Sequence, residues 1–314
     1  MNSFAPVVIP TLNRHIHFKR CVESLSRCTH ADKTDLFISL DYPLYEKHWD
    51  GYKRIELYLN NIKGFHTVNI IKRDENLGAM NNYLKSTSEI FEKYDRIIFT
   101  EDDNEFSPNF LDYINKGLQK FENDPLIYAI CGYKYLVPIH KEYNFNFFFY
   151  RGFSAWGYGT WKNKSKELVL SSDDLTRFIK QKNNVKELNK VSKRHYYNII
   201  NSILKKEIRY GDFAVFINNI KFDQYCVFPC ISKVRNFGHD GSGINCGTIG
   251  SKVFTNQIID DNITFEYSDS VPICNDNLLY TLRNYFSLSF KGKIRGIILH
   301  CIFIIKQLFR RNTN

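Results

Sequence analysis

Three consecutive carboxylates, Glu101-Asp102-Asp103, stand directly after the apolar run RIIFT. Like charges at contact distance raise one another's pKa, so such a triplet is costly to hold together unless a cation shares it. Oxygen ligands on a loop suit Mg2+ or Mn2+ bridging two phosphates; the plain alternative is a solvated acidic turn ahead of a helix. His239 and Asp240 lie in the glycine-rich stretch NFGHDGSG. A neutral imidazole there offers a metal ligand or a phosphate donor, while a lone loop histidine is more often structural. In RGFSAWGYGTW, Trp156 and Tyr158 stand among three glycines and suit stacking on a sugar face as well as they suit a core.

The elements that must position these residues alternate in period. Residues 6–11 (PVVIPT), 36–42 (LFISLDY), 67–72 (TVNIIK), 96–100 (RIIFT) and 126–131 (LIYAIC) read as buried strands, with helices over 14–27 and 80–91. Ser107-Pro108 reads as an N-cap with proline at the first helical position, opening a helix to about residue 123. Continuous apolar strands in β-α-β order predict an α/β fold, a Rossmann-like, mainly parallel sheet flanked by helices. Ligands of such sheets collect outside the carboxyl ends of the strands, where Asn13, Arg14, Asp41, residues 73–76 and the triplet all fall. Neither GxGxxG after the first strand nor GxxxxGK[ST] is present, so neither a dinucleotide fingerprint nor a P-loop is supported.

The second half is less regular. It reads as an aromatic strand at 143–150, a glycine-punctuated aromatic loop at 151–161, and a polar helical stretch at 174–206 broken at Asn183-Asn184. A short helix at 213–220 behind Asp212, a strand over 225–234 and a loop over 236–243 follow. No repeat or low-complexity linker divides the chain. One composite domain over 1–282 is expected, with a nucleotide-binding half at 1–135, an acceptor half at 136–282 and a basic amphipathic tail at 283–314.

The 314 residues are 43% hydrophobic and 24% charged, within the globular range. A net charge of +10 invites a nucleic-acid reading, but the tail holds seven basic residues and no acid, leaving +3 for the rest. Charge concentrated there, without interleaved aromatics, argues for no nucleic-acid partner. Residues 296–305 (GIILHCIFII) form an uncharged run of ten, short of the ~20 residues that a spanning helix needs. The tail therefore reads either as a helix lying on an anionic membrane surface or as one docked on the body. The N-terminus lacks a basic n-region and carries Pro6 and Pro10 in its apolar stretch, unlike a signal peptide, so a cytoplasmic protein, peripheral at the inner membrane, is expected. Eight cysteines without CxxC pairs read as reduced, mostly buried thiols.

Taken together, VVIPTLNR, Asp41, Asp74-Glu75-Asn76-Leu77-Gly78, IIFTEDDNEFSPNFLDYI, Asn123-Asp124-Pro125, FSAWGYGTW and NFGHDGSG resemble the nucleotide-sugar glycosyltransferases of the GT-A fold over about residues 5–250. The likeness is to bacterial family 2-like polysaccharide transferases and to the N-acetylglucosaminyltransferase that begins complex N-glycans. It implies that Asp103 binds Mn2+ (or Mg2+) directly while Glu101 and Asp102 hold ribose or shape the site. Arg14 and Asp41 would contact base and ribose with Thr11 beside them, and Asp74 and Asn76 would reach the donor. His239 would add a metal ligand or a phosphate donor, and Trp156 a wall of the donor or acceptor site.

RYGDFAVFIN occupies the place of the family's base-bearing segment, which makes Asp212 the general base of an inverting transfer and Asp240 the second candidate. It departs from the relatives in carrying Gly211 where an aromatic residue is common, and Asp212 otherwise reads as a helix cap. The resemblance thus implies transfer from a UDP-sugar, with N-acetylglucosamine favoured, to a saccharide or lipid-linked saccharide acceptor in bacterial surface polysaccharide synthesis. A catalytically silent sugar-nucleotide or glycan-binding module is the alternative. A two-metal phosphohydrolase would need further His and Asp ligands that the sequence does not supply.

Overall fold

A computed structural model describes residues 4–165, 169–243 and 251–311. The chain opens with β1 (Val7–Thr11), α1 (His15–Ser26), β2 (Asp35–Leu40), α2 (Trp49–Leu59), β3 (Thr67–Lys72), α3 (Gly78–Phe91) and β4 (Arg96–Phe99). It continues through β5 (Asn104–Phe106), α4 (Phe110–Lys120), β6 (Ile127–Cys131), β7 (Phe147–Tyr150), β8 (Tyr158–Trp161) and β9 (Val169–Leu170). Then come α5 (Ser172–Lys180), α6 (Lys182–Val191), α7 (Lys193–Lys205), β10 (Arg209–Tyr210), α8 (Asp212–Lys221), β11 (Tyr225–Pro229) and β12 (Val234–Asn236). Helices α9 (Ser251–Thr255), α10 (Asp276–Tyr285) and α11 (Phe290–Arg311) follow.

Eight strands form one sheet in the order β3-β2-β1-β4-β8-β6-β11-β7. Strands β7 and β8 run against the other six, so the sheet is mostly parallel, as the alternating segments predict. Side chains alternate between its faces. Val7, Ile9, Leu36, Ile38 and Ile98 pack beneath α1, α2 and α4. Val8, Phe37, Ile97 and Phe99 pack beneath α3, α5, α6 and α8. With both faces covered, β1 and β2 have no polar side to show, which is why each reads as an apolar run.

Several segments differ from the sequence expectation. Residues 158–161 are not loop but β8, an inner strand antiparallel to both β4 and β6. The helical stretch breaks at Gln181 and Ser192, both extended, whereas Asn183 and Asn184 lie inside α6. Helix α4 begins at Phe110 behind Asn109. Ser107 is committed elsewhere: its N–H donates to Lys233 O at 2.9 Å, continuing the β5–β12 ladder. Helix α2 is unanticipated, although Tyr52, Ile55 and Leu59 bury at helical spacing.

The basic tail contains α11, which docks on α7. The Tyr197 ring lies against Gly296, where a Cβ would come within 2.7 Å, and Tyr196 Oη is 3.2 Å from His300 Nδ1. Ile294, Ile297, Ile298, Ile302, Ile304 and Ile305 stay exposed. Among the described residues no helix is long and apolar enough to cross a membrane.

Between α9 and α10 the chain forms an irregular strap over α4. Tyr267 Oη donates to Tyr113 O at 3.0 Å, and Lys116 Nζ donates to Phe265 O at 2.9 Å. The buried Lys233 ammonium pairs with Asp260, which also accepts from Asn109 Nδ2 at 2.9 Å. Burial works to raise the Asp260 carboxyl, yet hydrogen bonds from Asn109, Lys233 and Asn262 hold it down at about 2. Removing one partner of a buried pair strands the other charge, at a cost of about 3–5 kcal/mol. Asp260→Ala is expected to lower the urea-unfolding free energy by about that much. In the wild type this carboxylate's contribution is complete above its ordinary value of 3.8 and is lost as pH falls through about 2. An unchanged denaturation midpoint in the variant would contradict both statements.

Candidate active site

The carboxyl ends of β1 and β4 meet at the acidic triplet. The strands are hydrogen-bonded neighbours, Thr100 N–H donating to Val8 O at 3.1 Å, which sets the end of β1 beside the turn after β4. Thr11 Oγ1 donates to Asp102 Oδ2 at 2.8 Å. Arg14 forks across both following acids: Nη1 donates to Asp103 Oδ2 at 2.8 Å and Nη2 donates to Asp102 Oδ1. Each of the two aspartates is 5% exposed. The cation that the triplet requires is therefore part of the chain. Burial works against the guanidinium charge, but the two carboxylates outweigh it and keep Arg14 above its ordinary pKa. Asp102 is raised, because burial lifts it more than Arg14 and Thr11 lower it.

Asp103 Oδ1 accepts from Asn236 Nδ2 at 2.7 Å, and the same amide reaches Asn104 Oδ1 at 2.9 Å. Asn236 Oδ1 accepts the Gly238 N–H at 2.9 Å, and Phe237 N–H donates to Asp103 O at 2.9 Å. Asn236 is a site residue that sequence reasoning missed. Its only local signal is its place at the head of NFGHDGSG, and the β5–β12 pairing is what brings it to the triplet. Gly238 presses on the same carboxylate: a Cβ there would lie 2.1 Å from Asp103 Oδ2.

Glu101 is half-buried, and its carboxylate has no hydrogen-bond partner among the described residues. Burial, then the charges of Asp103 and Asp212, push it well above the usual carboxylate range. Asp212 opens α8 behind Gly211, whose φ of 68° is in the region that side chains avoid. That conformation accounts for glycine at this position. The Asp212 side chain is open to solvent, yet enough protein surrounds it that desolvation pushes its carboxyl up to about 7. Ala155 N–H donates to its Oδ1 at 3.2 Å and fixes its orientation. Glu101, Asp103 and Asp212 thus share one electrostatic field.

Trp156 follows Ala155 directly and is half-buried, with its ring edge-on to Tyr133 at 4.6 Å and to His239 at 5.6 Å. Tyr158 is buried core, its Oη 2.7 Å from Tyr83 Oη. His239 stacks on Phe254 at 4.0 Å, and its Nε2 is buried without a partner among the described residues.

The other expected site residues, Asp74 excepted, already have partners within the chain. Thr11 and Arg14 are turned toward the aspartates rather than held free for a nucleotide. Asp41 caps α3: it accepts from Tyr42 N and Leu77 N on Oδ1, and from Gly78 N and Asn76 Nδ2 on Oδ2. Its lone pairs are spent, so it is not a free ribose ligand. Asn76 also donates to Tyr42 O at 2.5 Å and ties the two loops together, while Asp74 is exposed. Asp240 is engaged by His17 Nε2 at 3.1 Å and by Ser242 N and Oγ at 2.9 and 2.6 Å. Burial works to raise its carboxyl, but these partners hold it below the ordinary value, which makes it a poor base.

Among the described residues no three His, Cys, Asp or Glu side chains converge as a ready-made metal centre. The donors present fit a different kind of ion. Mg2+ and similar hard cations take one or two carboxylates and complete their shell with phosphate oxygens and water. Asp103 carries one hydrogen bond on each oxygen, with further lone pairs to give, while the Glu101 carboxylate and His239 Nε2 have no partner among the described residues.

No protein-family model matches the sequence, and no curated protein matches it. Solved structures do. A mannosyltransferase, PcManGT from Pyrobaculum calidifontis in complex with GDP-Man and Mn2+, is 11% identical over 51% of this chain and 44% of that one, with a TM-score of 0.35. S. aureus TarS 1–349 is 12% identical over 50% of this chain and 47% of that one, TM-score 0.33. The same protein with UDP-GlcNAc gives 12% over 46% and 39%, TM-score 0.30. The chain thus spans less than half the length of these structures, and the reading of the site rests on its own geometry.

Disturbing groups that orient a metal ligand typically costs 10–100-fold in affinity. Gly238→Ala, which forces Asp103 from its bed, is expected to weaken Mn2+ binding by about that factor in a calorimetric titration, with an unaltered far-ultraviolet CD spectrum. Unchanged Mn2+ affinity would remove Asp103 from the proposed ligands.

Proposed function

We propose that this chain is an inverting, metal-dependent glycosyltransferase of the GT-A type. It would move a sugar, with N-acetylglucosamine favoured, from a UDP-sugar to a saccharide or lipid-linked saccharide in bacterial surface polysaccharide synthesis. The observation that carries the reading is Asp212: a solvent-open carboxylate pushed up to about 7, beside an acid set at the carboxyl edge of a parallel sheet. A base with a pKa near the working pH is the kind that general-base catalysis needs.

In the proposed reaction the acceptor oxygen bonds to the anomeric carbon as the bond from that carbon to the diphosphate breaks, and Asp212 takes the hydroxyl proton. Ala155 N–H holds Asp212 Oδ1 in place, and Trp156, the next residue, offers a face for a sugar ring. Asp103 would hold Mn2+ or Mg2+, its shell completed by phosphate oxygens and water, and the ion would supply charge neutralisation of the diphosphate leaving group. Glu101 and Asp102 shape the donor side. The proposal keeps a nucleotide-binding half at 1–135 and an acceptor half at 136–282.

The same proposal places the protein at the cytoplasmic face of the inner membrane. Exposed isoleucines of α11 beside Lys291, Lys293, Arg295 and Lys306 support contact with an anionic bilayer. Sedimentation with phosphatidylglycerol vesicles but not with phosphatidylcholine vesicles is the expected result, and equal recovery with both would withdraw the contact.

The deciding experiment is UDP release from a panel of UDP-sugars with Mn2+, with Mg2+ and with chelator. One donor should turn over only with metal, and Asp103→Asn should abolish it. Turnover should rise with pH through about 7 as Asp212 loses its proton. Asp212→Asn should cost about 10²–10⁴-fold. Donor binding without metal-dependent turnover would leave a sugar-nucleotide-binding module instead.

A further inference from the structure

The Arg14 guanidinium occupies the carboxylate oxygen that a cation would most readily use. Of the two oxygens of Asp103, Oδ1 is bound to Asn236, which is itself 1% exposed and braced by the β5–β12 ladder. Oδ2 is bound to Arg14, whose side chain retains 21% exposure and whose other nitrogen holds Asp102. Arg14 is thus the movable partner and Asn236 the fixed one. A cation arriving alone must compete with Arg14 for Oδ2 and leave a largely enclosed guanidinium short of an acceptor, which is expensive. A diphosphate arriving with the cation brings the acceptor that Arg14 has lost, and a planar guanidinium suits phosphate oxygens well.

We propose that Arg14 couples cation binding to diphosphate binding: it is the resident counter-ion of Asp103 in the free protein and transfers to the diphosphate when both ligands enter. This rests on the function proposed above. Each ligand then binds more tightly in the presence of the other by one common factor, as linkage requires.

The test is calorimetric titration of the full chain with Mn2+ alone, and with Mn2+ in saturating UDP. In the wild type UDP should tighten Mn2+ binding at least about tenfold, a coupling of about 1.4 kcal/mol. Arg14→Met keeps the aliphatic stem and removes the competitor. It should bind bare Mn2+ several-fold more tightly and lose most of the UDP enhancement. Arg14→Met with Asp102→Asn removes one charge of each sign and should behave alike if the single variant fails to fold. Should either folded variant bind bare Mn2+ no more tightly and keep the full enhancement, the coupling role is overturned and the transferase reading stands. Should the wild type bind neither UDP nor Mn2+, the transferase reading falls and this inference with it.

Discussion

A half-buried guanidinium paired with two buried carboxylates sets the terms for the rest of the site. Neither Asp102 nor Asp103 can be taken out of water as a lone charge, and a point-like ammonium would not satisfy both at once. The fork of Arg14 can, since its two terminal nitrogens reach one acid each. That solution constrains the fold around it. Arg14 must leave β1 beside the triplet that leaves β4, which requires the two strands to be parallel neighbours; the register Val7↔Ile98 and Val8↔Phe99 carries β1 on to Thr11 alongside the residues that follow β4. Thr11, the final residue of β1, supplies the remaining hydrogen bond to Asp102. Glu101 is left outside the pairing, and an unpaired carboxyl in that field is pushed toward its neutral form.

The strands around this pair were legible because burial on both sides leaves a simple trace. VVIPT, LFISL and IIF can face only protein, and polar residues cluster where the strands end. Other elements were hidden by physics that a single segment does not display. β8 carries glycine and aromatic residues that suggest a loop, yet it is held as an inner strand by ladders to β4 and β6, each remote in sequence. The break in the helical stretch falls at Gln181 and Ser192 and not at the asparagine pair, because Asn184, inside α6, donates its amide back to Phe178 O of α5 at 3.2 Å. Local propensity favoured a break there, and tertiary packing overrode it.

The same limit applies to the carboxylates. Asp41, Asp212 and Asp240 are one residue type at similar loop or helix-start positions, and the sequence assigns them by place alone. What separates them is the number of donors each meets. Asp41 receives four from its own turn and from α3, and becomes a cap. Asp240 meets Ser242 twice and His17 once, and is held ionised. Asp212 meets Ala155 N–H, and with little to offset its desolvation it moves toward neutrality. A carboxyl poised near neutral pH thus arises where few donors meet it among the described residues, which local sequence records poorly because donors come from other segments.

The acid set is braced from the far end of the chain as well. Asn236 reaches Asp103 from the end of β12, and β12 is aligned by its ladder to β5. Lys233, the residue before that strand, is anchored beneath it by Asp260 and by the rings of Phe265 and Tyr113, 4.5 and 5.6 Å from its ammonium. The strap that looks like a mere connection to the tail therefore fixes the register of the strand that holds the central carboxylate. Arg14 grips Asp103 from the first loop and Asn236 from the last strand, so the acid's position is an average of two distant anchors. One of these is rigid through its backbone ladder and the other is a side chain able to let go. An arrangement with two rigid anchors would leave an incoming ligand only the lone pairs beside two fixed donors, and one with none would leave the carboxylate without a defined place.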